Sequence, residues 1–256
     1  MLPAPAQLAS PTGVLLIGLF VGHIFADFLV QTERVAALKG ERGRVMLLHG
    51  LLTFATHTVF VLPYMSRLLC AGLLLLALYH ITLDALRARL PFTRELELPA
   101  LLADQALHLA GVIALWYWLC SADVVARAWL PFDPRWMPPA ARLALLAAGF
   151  VFNAKGGNAI VRALLARFPT VMPDPGATKD LYATGRVIGT LERFLVFGLV
   201  LLEQWLSVGL VLTAKSIARH KDLEQRPFAD YYLIGTLTSL LVGVASALLV
   251  RRMLGS

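Results

Sequence analysis

Three times within its first 108 residues the chain sets a histidine and an aspartate four positions apart in an otherwise apolar run: His23 and Asp27 in GHIFADF, His80 and Asp84 in YHITLD, and Asp104 and His108 in ADQALH. On a helix that spacing stacks both side chains on one face, a turn apart, so each pair offers a nitrogen and an oxygen to the same small volume. Another apolar run adds His49 in LLHG. An ionised carboxylate inside an apolar segment is costly and has to face a partner in a bundle interior. The helices that carry these residues are therefore expected to pack with those faces together.

The composition says what surrounds the bundle. With 58% hydrophobic and 15% charged residues in a chain of 256, and a mean hydropathy of +0.71, an ordinary soluble domain is excluded and an all-α polytopic membrane protein is expected. The net charge of +7 comes from Lys and Arg in short stretches between apolar runs, without a basic face interleaved with aromatics, so nucleic acid is not an expected partner. Cys70 and Cys120 lie in apolar segments and form no CxxC or Cys/His pattern, which makes them packing residues. The N-terminal MLPAPAQLASPTG lacks a basic region before the first run, so that run reads as a retained span.

Apolar runs near residues 12–32, 45–62, 67–87 and 98–120 are each close to the length a bilayer core requires. The fourth closes in Trp116, Tyr117 and Trp118, residues typical of a membrane interface. Residues 121–140, rich in Pro and Trp, are expected to be an interfacial loop between two halves. A short fifth run near 141–154 continues as the more polar NAKGGNAIVRALLARF, expected to leave the membrane as a helix or a broken helix. After a Pro-containing linker at 169–183 come runs near 185–204, 206–220 and 232–250, making about eight spans. The expected organisation is thus a four-helix His/Asp bundle at 1–120, the loop at 121–140 and a C-terminal helical membrane half at 141–256. Lys and Arg concentrate after the first, third, fifth and seventh runs, which places the N-terminus outside a cytoplasmic membrane.

In that topology Asp27, His49, Asp84 and Asp104 fall in one layer near the cytoplasmic face, and His23, His80 and His108 in a second layer about 6 Å deeper by the helix rise. Three carboxylates at one depth repel each other. A divalent transition metal resolves this by accepting carboxylate oxygens and neutral imidazole nitrogens, zinc first, with manganese or iron as alternatives. Seven ligands, His23, Asp27, His49, His80, Asp84, Asp104 and His108, exceed one tetrahedral site and suit two ions sharing a carboxylate, an arrangement that activates water. Asp27, Asp84 and Asp104 are also the expected catalytic carboxylates. Gln31, Gln105 and His57 are expected as supporting donors around the ligands. The same residues can also be read as a proton relay or ion path, or as a structural interhelical hydrogen-bond network.

The pattern GHIFADFLVQ, LLHG, YHITLD and ADQALH resembles a family of bacterial integral membrane proteins known chiefly as a domain of unknown function, over about residues 12–120. A looser resemblance is to inner-membrane metal-dependent hydrolases related to zinc phospholipase C, which also use intramembrane His and Asp. The segment from LTAKSIAR to DYYLIGTL is similar to the C-terminal part of longer members of the first family. In the second half, Gly185 and Gly189 have the small-xxx-small spacing of close helix packing. Glu192, Arg193, Glu203, Lys215 and Arg219 read as interhelical ion pairs, with Arg193, Lys215 and Arg219 also a possible headgroup or phosphate site. The expected function is a metal-dependent hydrolase acting on a lipid or amphipathic ester or phosphoester. The rivals are a divalent-cation or proton transporter and a non-catalytic scaffold. Membrane lipids, a lipid-like substrate and further copies of the chain are the expected partners.

Overall fold

The computed structural model describes residues 10–40, 42–124, 137–168, 179–224 and 226–255, and among these the regular structure is entirely helical. Residues 125–136 of the expected interfacial loop and 169–178 of the expected linker lie outside the described residues. The chain divides into two compact units, one of residues 1–91, 102–151 and 252–256, the other of residues 92–101 and 152–251.

In the first unit, α1 (Pro11–Phe25) starts where the Ser10 hydroxyl accepts from the Gly13 N–H and Pro11 supplies a preset φ. It runs into a turn of π-helix, Ala26–Val30, whose exit is marked by the Gln31 N–H donating to the Ala26 carbonyl. The short α2 (Glu33–Leu38) is capped by Thr32. α3 (Gly43–Val61) ends in a 3₁₀ turn, Leu62–Tyr64, where Pro63 cannot continue the helix. α4 (Arg67–Arg89) is capped by Ser66, and α5 (Glu97–Ser121) and α6 (Met137–Val151) follow.

α1 packs against α3 and α6, and α3 against α4. α5 is tied to α4 by the Tyr79 hydroxyl donating to the Leu107 carbonyl at 2.9 Å, and to α1 by the Trp116 indole donating to the Thr12 carbonyl at 2.8 Å. Of the expected aromatic anchors, Trp116 thus turns inward, while Tyr117 and Trp118 are exposed.

The burial pattern is inverted relative to a soluble bundle. α3 buries His49, Gly50, Thr53, His57 and Val61 and exposes Leu47, Leu48, Leu51 and Val59. A helix with its polar stripe inside and its leucines outside is stable only where the surroundings are apolar. Toward the end of the bundle that holds Ser10 and Tyr64, the interior holds an apolar cluster that includes Leu15, Leu19, Val61, Leu69, Leu73 and Leu119.

Close approach of α1 and α3 depends on Gly18 and Gly22. A Cβ at Gly18 would lie 2.7 Å from the Phe60 carbonyl oxygen, and one at Gly22 would lie 2.9 Å from the His57 Cα. Both neighbours are backbone atoms and cannot rotate away. The expected close packing at Gly185 is not found among the described residues, none of which lies within 4 Å of a Cβ built there. The small-xxx-small device works in the first unit instead.

In the second unit a π-helical turn, Phe152–Gly156, leads into α7 (Gly157–Leu165), followed by α8 (Lys179–Leu201), α9 (Trp205–Ala218) and α10 (Arg226–Leu254). The polar stretch after residue 151 remains helical, passing through the π-helical turn to Leu165. Its polar groups find internal partners: the Asn153 amide donates to Ser246 at 2.9 Å, and the Asn158 amide to Thr190 at 3.1 Å.

Six helices among the described residues are long and apolar enough to cross a membrane: Pro11–Val30, Gly43–Tyr64, Arg67–Arg89, Glu97–Ser121, Pro139–Leu165 and Phe228–Leu254. Of the other expected runs, α8 carries Arg186, Glu192 and Arg193, and α9 is a shorter apolar helix of 14 residues.

Candidate metal centre

The three i, i+4 pairs do what their spacing predicts. Nitrogen and carboxylate oxygen lie 4.0 Å apart in His23/Asp27, 3.6 Å in His80/Asp84 and 3.8 Å in Asp104/His108. The pairs are buried and meet in the first unit, where α1 and its π turn contribute His23 and Asp27, α3 His49, α4 His80 and Asp84, and α5 Asp104 and His108. The π turn, a feature frequent at functional sites, carries Asp27 itself.

The expected two layers merge into one cluster, with His80 at its hub. Its Nε2 lies 3.0 Å from His49 Nε2, 3.1 Å from Asp27 Oδ1 and 3.6 Å from Asp84 Oδ2. His49 Nε2 is in turn 3.2 Å from Asp84 Oδ2 and 3.9 Å from Asp27 Oδ1. The rings of His23 and His108 stack at 5.6 Å between centroids, and the His80 ring stands edge-on to His108 at 4.2 Å. The layers merge because Cβ atoms tilt toward a helix N-terminus, so Asp84 leans back along α4 toward His80, and side-chain reach closes the remaining gap.

Three overlapping groups have ligand atoms mutually within 4.8 Å and can hold a metal ion: His23, Asp27 and His80; His49, His80 and Asp84; and Asp84, Asp104 and His108. His80 belongs to the first two and Asp84 to the last two. The cluster is therefore continuous.

Four inward atoms, Asp27 Oδ1, His49 Nε2, His80 Nε2 and Asp84 Oδ2, are separated in five pairs by 3.0–3.9 Å. A tetrahedral zinc with bonds of about 2.0–2.1 Å places its ligands about 3.3–3.4 Å apart. Asp27 Oδ1 and Asp84 Oδ2 face the imidazole nitrogens of His80 at 3.1 Å and His49 at 3.2 Å, and His108 Nε2 is buried with no hydrogen-bond partner among the described residues. An unmet buried acceptor costs about 1–3 kcal/mol, which a bound ion would offset. The His108 Nδ1–H donates to the Asp104 carbonyl at 2.8 Å, since a carbonyl oxygen can only accept, which leaves the Nε2 lone pair facing the interior.

Each carboxylate is held from outside by its other oxygen or by a neighbour. Gln105 Nε2 donates to Asp27 Oδ2 at 3.1 Å and to Asp104 Oδ2 at 3.4 Å. Lys39 Nζ lies 2.7 Å from Asp84 Oδ1, and Arg87 Nη1 lies 2.6 Å from Asp104 Oδ2. Such outer partners orient metal-binding carboxylates.

Gln31 does not touch the cluster directly, as its Oε1 accepts from Lys39 Nζ at 2.9 Å. His57 packs against Gly22 and donates from Nδ1 to the Thr53 carbonyl at 2.7 Å, outside the three groups. Arg87 was recognisable, being three residues after Asp84 on one helix face, whereas Lys39 reaches its partner from the end of α2 with no local signal.

In the second unit two of the expected headgroup cations, Arg193 and Lys215, have protein partners. Arg193 is 2% exposed and donates to the Asn153 carbonyl at 2.8 Å, Ser239 at 3.0 Å, Asn158 Oδ1 at 2.6 Å and Thr190 at 3.2 Å. Lys215 pairs with Glu192 at 2.6 Å and lies over the Tyr232 ring, and Arg251 pairs with Glu203. Arg193 and Lys215 border one cleft with Glu192 and Ser239. The geometry there is that of interhelical locks.

Taken together, the inverted helices and the buried histidine–aspartate cluster define an all-α membrane protein whose interior can hold a metal ion. Residues 15–131, a stretch that contains the whole cluster, match the model of the family described as "Protein of unknown function (DUF3307)". No curated protein and no solved structure matches the chain.

Proposed function

We propose that the protein is a metal-dependent hydrolase of the cytoplasmic membrane, acting on an amphipathic ester or phosphoester. The observation that carries the reading is the set of five separations of 3.0–3.9 Å by which His49 Nε2 and His80 Nε2 approach each other and both Asp27 Oδ1 and Asp84 Oδ2, close to the spacing of neighbouring ligands around zinc. Asp104, His108 and His23 extend the donor set toward a second ion through the shared Asp84 and His80. A divalent ion at such a site polarises a carbonyl or phosphoryl oxygen and makes water acidic enough to act as a nucleophile near neutral pH. The chain's own residues fix the donors: Gln105 orients Asp27 and Asp104, and Lys39 and Arg87 neutralise Asp84 and Asp104 from outside.

The cluster sits toward the helix ends that carry Lys39, Arg42, Arg44, Arg87 and Arg89, which supports a cytoplasmic-facing site and an N-terminus outside. Membrane lipids would then deliver an amphipathic substrate laterally. An ion path is disfavoured by the apolar cluster in the opposite half of the interior, which includes Leu15, Leu19, Val61, Leu69, Leu73 and Leu119. The test is metal content by mass spectrometry on protein purified in detergent without chelator, followed by product release from a panel of lipid esters and phosphoesters. About two equivalents of zinc and zinc-dependent cleavage are expected. Folded protein that stays metal-free after reloading refutes the reading.

A further inference from the structure

Lys39 and Arg87 hold the outer edge of the cluster in a way that goes beyond neutralising two carboxylates. Both come from helix ends at the charged end of the bundle, and their side chains are 17% and 34% exposed, against 5% for Asp84 and 8% for Asp104. They therefore lie between the buried donors and the surface. Their two carboxylate partners belong to one group whose ligand atoms are mutually within 4.8 Å, so the two cations flank a single short stretch of the rim. Neither is saturated by the bonds it makes among the described residues. Lys39 has three N–H donors and gives two, to Asp84 and Gln31; Arg87 has five and gives one, to Asp104.

Charge balance points the same way. Asp27, Asp84 and Asp104 supply three negative charges, whereas Lys39, Arg87 and a single dication supply four positive ones. With a second dication the excess rises to three. A buried site with surplus positive charge in apolar surroundings favours an anionic occupant, because an uncompensated buried charge is costly. A rim of one ammonium and one guanidinium also repels an incoming free cation and offers forked donors to tetrahedral oxyanions.

We propose that Lys39 and Arg87 form an anion-recognising rim, and that the substrate presents an anionic phosphate group rather than a neutral ester to the metals. This rests on the metal reading of the cluster. Both residues would contact the non-reacting phosphate oxygens and so select the substrate, while the His and Asp set holds the metal.

The test uses the full chain in detergent, loaded with zinc, with inorganic phosphate as the probe, titrated by calorimetry and by phosphorus NMR line broadening. Wild type is expected to bind phosphate, and Lys39→Met and Arg87→Met to weaken it at least tenfold each while retaining wild-type zinc stoichiometry. Lys39→Arg and Arg87→Lys are expected to keep most of the phosphate affinity, which separates lost charge from lost fold. Mixed micelles containing phosphatidic acid, compared with phosphatidylcholine, tell a lipid headgroup from free phosphate: competition by phosphatidic acid alone assigns the rim to an anionic lipid, and competition by neither assigns it to a soluble phosphate. Zinc-loaded wild type that ignores phosphate, or Met variants that bind it as well as wild type, overturns the rim. Wild type that takes up no zinc overturns the metal reading beneath it.

Discussion

Replacing His80 by alanine is the sharpest perturbation of the proposed centre. His80 Nε2 is one of four atoms that approach one another in five pairs at 3.0–3.9 Å, and the residue is shared by two of the three groups able to hold an ion. Four-ligand structural zinc sites bind with about 10–16 kcal/mol. Divided among four donors, one ligand is worth about 2.5–4 kcal/mol, which is about a hundred- to a thousandfold in dissociation constant. His80→Ala is therefore expected to weaken zinc binding by that factor, measured by competition with a chromogenic chelator of known affinity. His57→Ala serves as the comparison. That histidine is as deeply buried, yet lies outside the three groups, so its zinc affinity is expected to stay within about threefold of wild type. Circular dichroism and size-exclusion profiles in detergent establish that both variants are folded. A folded His80→Ala protein with zinc affinity within about threefold of wild type would refute the convergence of these donors on a metal.

Two further outcomes concern the scaffold. Arg193→Met removes four hydrogen bonds to Asn153, Ser239, Asn158 and Thr190, each worth about 1 kcal/mol or more from a charged donor, so thermal unfolding in detergent should show a loss of about 3–5 kcal/mol. A loss below about 1 kcal/mol would mean that this arginine is not a lock. Gly22→Ala sets a Cβ 2.9 Å from the His57 Cα and should cost about 1–3 kcal/mol through overpacking, whereas Gly185→Ala, whose Cβ meets no described residue within 4 Å, should be neutral or stabilising by up to about 1 kcal/mol. Equal effects at the two positions in the same unfolding assay would contradict the close α1–α3 contact.

The amino-acid sequence alone determined the class of structure and the identity of the clustered residues. Runs of about twenty apolar residues have to become helices in a bilayer, because every backbone polar group must be satisfied within its own segment. The i, i+4 spacing of His23/Asp27, His80/Asp84 and Asp104/His108 then forces each pair onto one helix face. These are local constraints, and the three pairs do approach within 4.0 Å. The Gly18 and Gly22 spacing was equally local and equally available, although the eye falls first on Gly185 and Gly189 in a more polar context.

Only the tertiary structure decided which donors share a centre. His80 became the hub because α3 and α4 bring two imidazole nitrogens from residues 31 positions apart to 3.0 Å, a separation no local period encodes. The internal partners of Asn153 and Asn158 were hidden for a related reason: polarity marks a segment as leaving the membrane unless Ser246, Thr190 and Arg193 are there to receive it. Lys39 lay furthest from view. Its ammonium meets Asp84 across 45 residues of sequence, and long flexible side chains choose partners by where the fold leaves a carboxylate oxygen, which is set by packing and electrostatics acting at a distance along the chain.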